Sequence, residues 1–516
     1  MASELENQRA EPNADAGALP PSADQQDPAA TGIAGLDAIL GGGLPRNRAY
    51  LIEGDHGSGK TTLGTHFCVA GAEQGERVLY VTTCESEDEV RQIACSHGWS
   101  LEGVTIHYLD ARTCLGDDPK QSVFHPTEVE FPKTMEVLHK VIDQVSPQRL
   151  VIDSLSEIRL LAANATWFRW QVLALKEDLA GRRCTTLLCD DRLGAAQQPV
   201  KSIVHGVIEL EQLAVDYGPD RRRLRVAKLR AQPFASGYHD FKIRTGGLVV
   251  YPRLVAAEHR HDFLGETVST GIPPLDAMFG GGVDRGTAVL LLGPSGNGKS
   301  IVATQFAVAA ADRGERSAMY VFDERVQTLL QRAKGLNLDL QTQCDRGLVE
   351  IRQIDPAELT PGEFTDDVRR AILERGVRTV IIDSLAGYAY AMPDERSLTL
   401  HLHELLSFLG QQGVTVLMVM TQCGVSGGPR YAPFDLSYIA DSVLLFHTFE
   451  HAGDMHRAIS VFKRRSGPHD STFHDLRFSS DGVGIGPPLR QYQGLLTGLP
   501  HFAEREPPNV RDHDHR

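Results

Sequence analysis

No CxxC pair occurs anywhere in the 516 residues, and the eight cysteines, scattered from Cys68 to Cys423, form no zinc-like cluster. Structural zinc needs ligands at short, regular spacings, so a zinc ribbon is excluded; dispersed thiols suit a reducing cytosol, as small core hydrophobes. No apolar run reaches the roughly 18 residues that cross a bilayer. The first residues lack the charged-then-apolar pattern of a signal peptide. A cytoplasmic protein with no membrane contact is expected. Positive charge is also scarce: 52 Lys and Arg against 67 Asp and Glu leave a net charge of −15. Neutralising a phosphate backbone calls for a basic surface, so nucleic acid is not an expected partner. With 41% hydrophobic and 23% charged residues, the chain reads as globular.

What the chain does have, it has twice. GDHGSGKT runs from Gly54 to Thr61 and GPSGNGKS from Gly293 to Ser300, so that Lys60 and Lys299 stand 239 positions apart (299 less 60). At the same offset, TGIAGLDAILGGGLPRN (Thr31 to Asn47) lies on TGIPPLDAMFGGGVDRG (Thr270 to Gly286), and Glu85 lies on Glu324. Two phosphate-cradling loops inside one ungapped repeat mean a duplicated nucleotide-binding domain.

The repeat divides the chain into two domains of roughly 230 residues. The expected boundaries are 29–254 and 266–487, joined by a linker at 255–265. Residues 1–28 carry few large apolar groups and are expected to be a disordered tail. Residues 488–516 are expected to hold a C-terminal segment and a second such tail. Within each domain a buried strand enters the glycine loop, a helix runs to Gly75 or Gly314, and further hydrophobic strands alternate with helices. Runs such as Arg149-Leu150-Val151-Ile152-Asp153 and Thr379-Val380-Ile381-Ile382-Asp383 are apolar without alternation, as strands buried on both faces are. The fold class is α/β, a mainly parallel sheet with helices on both faces, in tandem.

The loops assign chemistry. Backbone N–H groups around Gly54, Gly57, Ser58, Gly59 and Thr62, and around Gly293, Gly296, Asn297 and Gly298, are placed to surround phosphate. Lys60 and Lys299 should bridge the β- and γ-phosphates of ATP, and Thr61 and Ser300 should offer a hydroxyl to Mg²⁺. Asp153 and Asp383, ending buried strands, are the expected Mg²⁺ anchors. Glu85 in the first domain and Asp323 with Glu324 in the second are the candidate bases, since carboxylates at strand ends lie where open α/β sheets bind ligands. Lys228 with Arg230, and Lys463 with Arg465, put two cations on one strand face, able to reach a γ-phosphate in their own subunit or a neighbour's. Arg221-Arg222-Arg223 reads as a solvated hairpin tip, and His401-Leu402-His403-Glu404 as ordinary helix surface.

The duplicated lead-in, the twin loops, the strand-end acids and the KxR strands resemble the KaiC family, a branch of the RecA-like P-loop ATPases, over roughly residues 29 to 500. That resemblance implies a double-ring hexamer with ATP at subunit interfaces, hydrolysis in the first tier, and transfer of phosphate to the protein's own Ser and Thr in the second. It makes the KxR pairs residues that reach a neighbour's site, and Ser437 the phosphoacceptor. It also implies regulatory protein partners, and it matches Leu495-Leu496-Thr497-Gly498 to the segment before a regulatory tail. Three departures stand out. Cys84-Glu85 replaces a pair of glutamates, Asp55 and His56 lie in the first loop, and Tyr438 follows Ser437 where the family has threonine. The leading expectation is an ATPase and serine autokinase, with Asp323 and Glu324 as base. The alternatives are a slowly hydrolysing switch whose nucleotide state controls a partner, and a RecA- or helicase-type motor, against which the acidic balance weighs.

Overall fold

The computed structural model describes residues 27–109, 126–162, 164–192, 200–215, 217–259, 263, 265–390, 395–421, 437–451, 453–495 and 501–502. The chain divides into two compact units, and its strands form two nine-stranded sheets. In the first sheet the strands are β1 (Ala49–Gly54), β2 (Val78–Thr82), β3 (Val104–Tyr108), β4 (Arg149–Asp153), β5 (Thr185–Asp191), β6 (Gly206–Leu213), β7 (Arg221–Leu229), β8 (His239–Arg244) and β9 (Gly247–Tyr251). Their order is β3-β2-β4-β5-β1-β6-β7-β8-β9, and the first five are parallel.

A short ribbon, β10 (Thr267–Val268) with β11 (Val283–Asp284), opens the second domain. The sheet after it repeats the first. Its strands are β12 (Ala288–Gly293), β13 (Arg316–Val321), β14 (Val349–Gln353), β15 (Val377–Asp383), β16 (Thr415–Thr421), β17 (Ser442–His451), β18 (Asp454–Arg464), β19 (His474–Ser479) and β20 (Gly482–Pro488). The order β14-β13-β15-β16-β12-β17-β18-β19-β20 matches strand for strand. β17 is the last parallel member, and the strands after it run antiparallel.

The unbroken hydrophobic runs are explained by what each face touches. Ala288 and Leu290 of β12 pack with Tyr320, Val380 and Ile382 on one side. Val289 and Leu291 pack with Val302, Phe306 and Ile381 on the other. Because successive side chains point to opposite faces and both are covered, apolar residues are favoured at successive positions. The triple glycine of the lead-in has a steric cause. A side chain on Gly282 would lie 2.6 Å from the carbonyl oxygen of Val268, and one on Gly43 would lie 2.6 Å from that of Ala29. Their φ angles, 125° and 132°, also suit only glycine. Backbone passes so close that no Cβ fits.

Among the described residues, no helix is long and apolar enough to cross a membrane. Cys68, Cys184 and Cys189 are buried as expected, whereas Cys84 and Cys95 are exposed. Two further expectations are corrected. Arg221, Arg222 and Arg223 are the start of β7 and half-buried. Arg223 pairs with Glu211 at 2.7 Å and lies 3.9 Å over the Tyr238 ring, so carboxylate and aromatic neighbours share it with solvent.

His401 is not helix surface. Its Nδ1 meets the Tyr388 hydroxyl at 2.5 Å and its Nε2 meets Thr365 Oγ1 at 2.8 Å, and burial pulls its pKa down to about 4. An imidazole whose folded pKa is depressed stabilises the fold while neutral, and this contribution is lost as pH falls from the unfolded value near 6.5 towards 4. The unfolding free energy of the second domain is therefore expected to drop by about 2–3 kcal/mol between pH 7 and pH 4 through this residue. Denaturant titrations of wild type and His401→Phe across that range check it. The variant should lose that part of the slope, and parallel pH profiles would remove the assignment.

Candidate functional site

Both loops sit where the sequence placed them, between β1 or β12 and the following helix, Lys60–Glu73 or Lys299–Asp312. Gly57 and Gly59 have φ of 78° and 103°, and Gly296 and Gly298 have 79° and 87°. These left-handed residues turn the loop back on itself, as a backbone phosphate nest requires. Thr62 is buried on the first helix, and the Ser58 hydroxyl and the Asn297 amide nitrogen are buried without a hydrogen-bond partner among the described residues. Polar atoms left in that state inside a glycine cradle fit a polar ligand.

In the first domain Lys60 Nζ donates to the carbonyls of Gly54 (2.7 Å) and Asp55 (3.0 Å) and lies 3.1 Å from Asp191 Oδ1. Thr61 Oγ1 donates to Asp153 Oδ2 at 2.7 Å, and the Tyr80 hydroxyl donates to the same oxygen at 2.8 Å. Glu85 lies nearby, held by Thr82 Oγ1 at 3.2 Å. Burial, then the Asp153 carboxylate, lifts Glu85 above the ordinary carboxylate range. The Cys84 thiol is also pushed up, by desolvation and then by Glu157, Glu85 and Asp153, and stays protonated at neutral pH. A thiol in that state supplies no second base.

The second domain repeats the arrangement with different partners. Lys299 Nζ donates to Gly293 O (2.8 Å) and Pro294 O (2.6 Å). Burial pulls its pKa down to about 8, with Asp383 opposing. Asp383 is raised by burial, with a hydrogen bond from Ser300 opposing. The two candidate bases are both engaged. Asp323 Oδ2 accepts from Ser384 Oγ at 2.5 Å, and Glu324 Oε1 pairs with Arg332 Nη1 at 2.7 Å. Phe478 on β19 reaches the loop itself: a Cβ on Gly298 would lie 1.9 Å from its ring.

The KxR strands show one device used twice. Lys228 Nζ donates to the carbonyls of Lys201 (2.8 Å) and Val204 (2.7 Å). Lys463 Nζ donates to those of Ser437 (2.7 Å) and Ala440 (2.8 Å). Each lysine thus grips a four-residue turn, 201–204 or 437–440, and the grip places Lys201 in the first domain where Ser437 stands in the second. Lys201 pairs with Glu53 at 2.5 Å. Arg230 and Arg465 are more exposed, with Arg465 3.4 Å from Asp441 and bonded to the Tyr438 carbonyl. Ser437 is half-buried and Tyr438 exposed. Leu496, Thr497 and Gly498 lie outside the described residues; Leu495 is buried against Phe449 and Ala458.

With this geometry in hand, comparison with known proteins is direct. A sequence model of the family described as ATPase: KaiC matches residues 29–255 and again 268–490. The chain belongs to the KaiC family. It is 27% identical over 483 residues to the circadian clock protein KaiC3 of Synechocystis sp. (strain ATCC 27184 / PCC 6803 / Kazusa), covering 92% of this chain and 94% of the relative. It is 26% identical over 479 residues to the circadian clock oscillator protein KaiC of Acaryochloris marina, covering 91% and 90%. To the KaiC of Prochlorococcus marinus it is 26% identical over 483 residues, covering 91% and 95%. Membership in the KaiC family carries ATP binding and ATPase activity, and it bears out the resemblance drawn from the motifs.

Four residues at these KaiC-type sites escaped sequence reasoning: Asp191, Tyr80, Arg332 and Phe478. Asp191 left a trace at a strand end, because β5 ends in Asp191 where β16 ends in Thr421. The others reach their sites from strands or helix positions that no motif marks.

Proposed function

We propose that both loops bind ATP with Mg²⁺ at the subunit interfaces of a homohexamer, that both domains are able to hydrolyse it, and that the second also phosphorylates Ser437. The observation that supports this most is shared by both halves: the hydroxyl after the loop lysine is hydrogen-bonded to the strand-end aspartate, Thr61 to Asp153 and Ser300 to Asp383. One hydroxyl and one carboxylate are an incomplete oxygen shell of the kind Mg²⁺ completes with nucleotide phosphates. Thr61 with Asp153, and Ser300 with Asp383, would hold the ion, which would supply neutralisation of phosphate charge. The chain's own residues do the rest. Lys299 holds the phosphates, and the loop N–H groups orient them. Glu324, once parted from Arg332, takes the proton of the Ser437 hydroxyl presented by the neighbouring subunit, with Asp323 beside it. Within one chain Ser437 lies just before the start of β17, at the opposite end of the sheet from the loop. The serine Oγ–phosphorus bond forms as the bond from phosphorus to the β–γ bridging oxygen breaks, and ADP leaves.

Incubation with Mg-ATP followed by phosphopeptide mapping tests the kinase step. Phosphate should appear on Ser437, and Glu324→Gln should slow its appearance by about 100-fold, the usual scale for loss of a general base. Consumption of ATP with Ser437 unmodified would instead support a nucleotide-state switch that docks a protein partner. The Glu324–Arg332 ion pair, which keeps the candidate base occupied, and the neutral Cys84 favour that second reading.

A further inference from the structure

The two loops are not electrostatically equal: besides Asp55 and His56 within the first loop, one residue on the neighbouring strand adds to the difference. β1 pairs with β5 so that Gly54 faces Asp191, and β12 pairs with β16 so that Gly293 faces Thr421. The two positions are therefore equivalent, at the strand end beside the first glycine of each loop. In the first domain the Asp191 carboxylate lies 3.1 Å from Lys60 Nζ and 3.8 Å from His56 Nδ1. Its main chain is fixed from the far side, the Asp191 amide donating to Ser156 Oγ (3.2 Å) and to Asp190 Oδ1 (3.0 Å). Asp190 is itself held by Arg159. The carboxylate is thus mounted on a braced strand end and aimed at the lysine that has to meet phosphate.

We propose that Asp191 is a positioning residue that holds Lys60 in an ion pair beside the loop, and so sets a lower nucleotide affinity in the first domain than in the second. This rests on the reading of both loops as ATP sites. Binding there breaks an ion pair that is only partly exposed and leaves a carboxylate close to a polyanion, and each of these opposes binding. In the second domain Thr421 brings no charge.

The test uses the full chain carrying Lys299→Ala, so that only the first loop reports, and a fluorescent ATP analogue with Mg²⁺. Asp191→Thr and the isosteric Asp191→Asn should each tighten binding about tenfold, the scale of removing one nearby like charge. Asp191→Glu, which keeps the charge, should stay within a few-fold of the parent. The reciprocal Thr421→Asp, made with Lys60→Ala, should weaken the second loop by a similar factor. A purely structural role for Asp191 could only lose affinity, so unchanged or weaker binding by both Asp191→Thr and Asp191→Asn overturns the tether. Unchanged binding with lost hydrolysis in Asp191→Asn also overturns it, in favour of a catalytic base. Adding Lys60→Ala separates the two readings. If binding survives that change, the nucleotide-site reading of the loop fails; if binding disappears while the Asp191 variants are silent, only the tether fails.

Discussion

In a chain carrying Lys60→Ala, where only the second loop is intact, adding Lys299→Ala lowers ATP affinity by about 100-fold or more, the order expected when one partner of a buried charge pair is removed. The physical basis is the setting of this ammonium. It is buried, bonded to two carbonyls, and held near a pKa of about 8 by desolvation. A polyphosphate restores what burial takes away, because an adjacent anion favours the charged form. The same argument fixes a pH dependence and its sign. Below pH 8 the empty site already holds the charged lysine; above it, binding has to take up a proton. Affinity of the second loop should thus fall about tenfold between pH 8 and pH 9.5 as the free lysine deprotonates. Titration calorimetry in two buffers of different ionisation enthalpy would show the proton uptake. A flat profile over that range would contradict the assignment of Lys299 as the phosphate contact.

The second large effect is expected from a single methyl group. Gly298→Ala puts a Cβ 1.9 Å from the Phe478 ring, on a residue whose φ is 87°. The left-handed backbone costs about 1 kcal/mol for alanine, and the clash forces the ring or the loop to move at a further cost of about 1–3 kcal/mol. The loop is the nucleotide cradle and Phe478 belongs to β19, so both stability and ATP binding of the second domain should decline together. Thermal melts and binding isotherms of Gly298→Ala, Phe478→Ala and the double variant decide the cause. Removing the ring should restore part of what the methyl destroys, leaving the backbone contribution. If the double variant is no better than Gly298→Ala alone, the steric account is wrong.

The loops, the sheet and its mainly parallel strands were readable because each depends on residues adjacent in sequence. Glycine spacing sets the nest, and unbroken apolar runs such as Val380-Ile381-Ile382 mark strands covered on both faces. His401 was misread because its two partners, Thr365 and Tyr388, lie on other helices, and the local pattern HLHE carries no record of them. Arg223 was misread for the same reason: Glu211 and Tyr238 are neighbours only across the sheet. At the sites, Glu324 could be found from its strand-end place, yet its engagement by Arg332 could not. Asp191 was legible in principle, from a strand end where the second copy has threonine.

The paired lysine grips carry a consequence for the division of labour between the two halves. Superposed on its carbonyl partners, the turn under Lys228 presents Lys201, already neutralised by Glu53, at the place where the turn under Lys463 presents a serine. An alkylammonium has no hydroxyl to esterify. At the place of Ser437 itself the first copy therefore offers an ammonium where the second offers a hydroxyl, so the duplication has left the two corners chemically unlike.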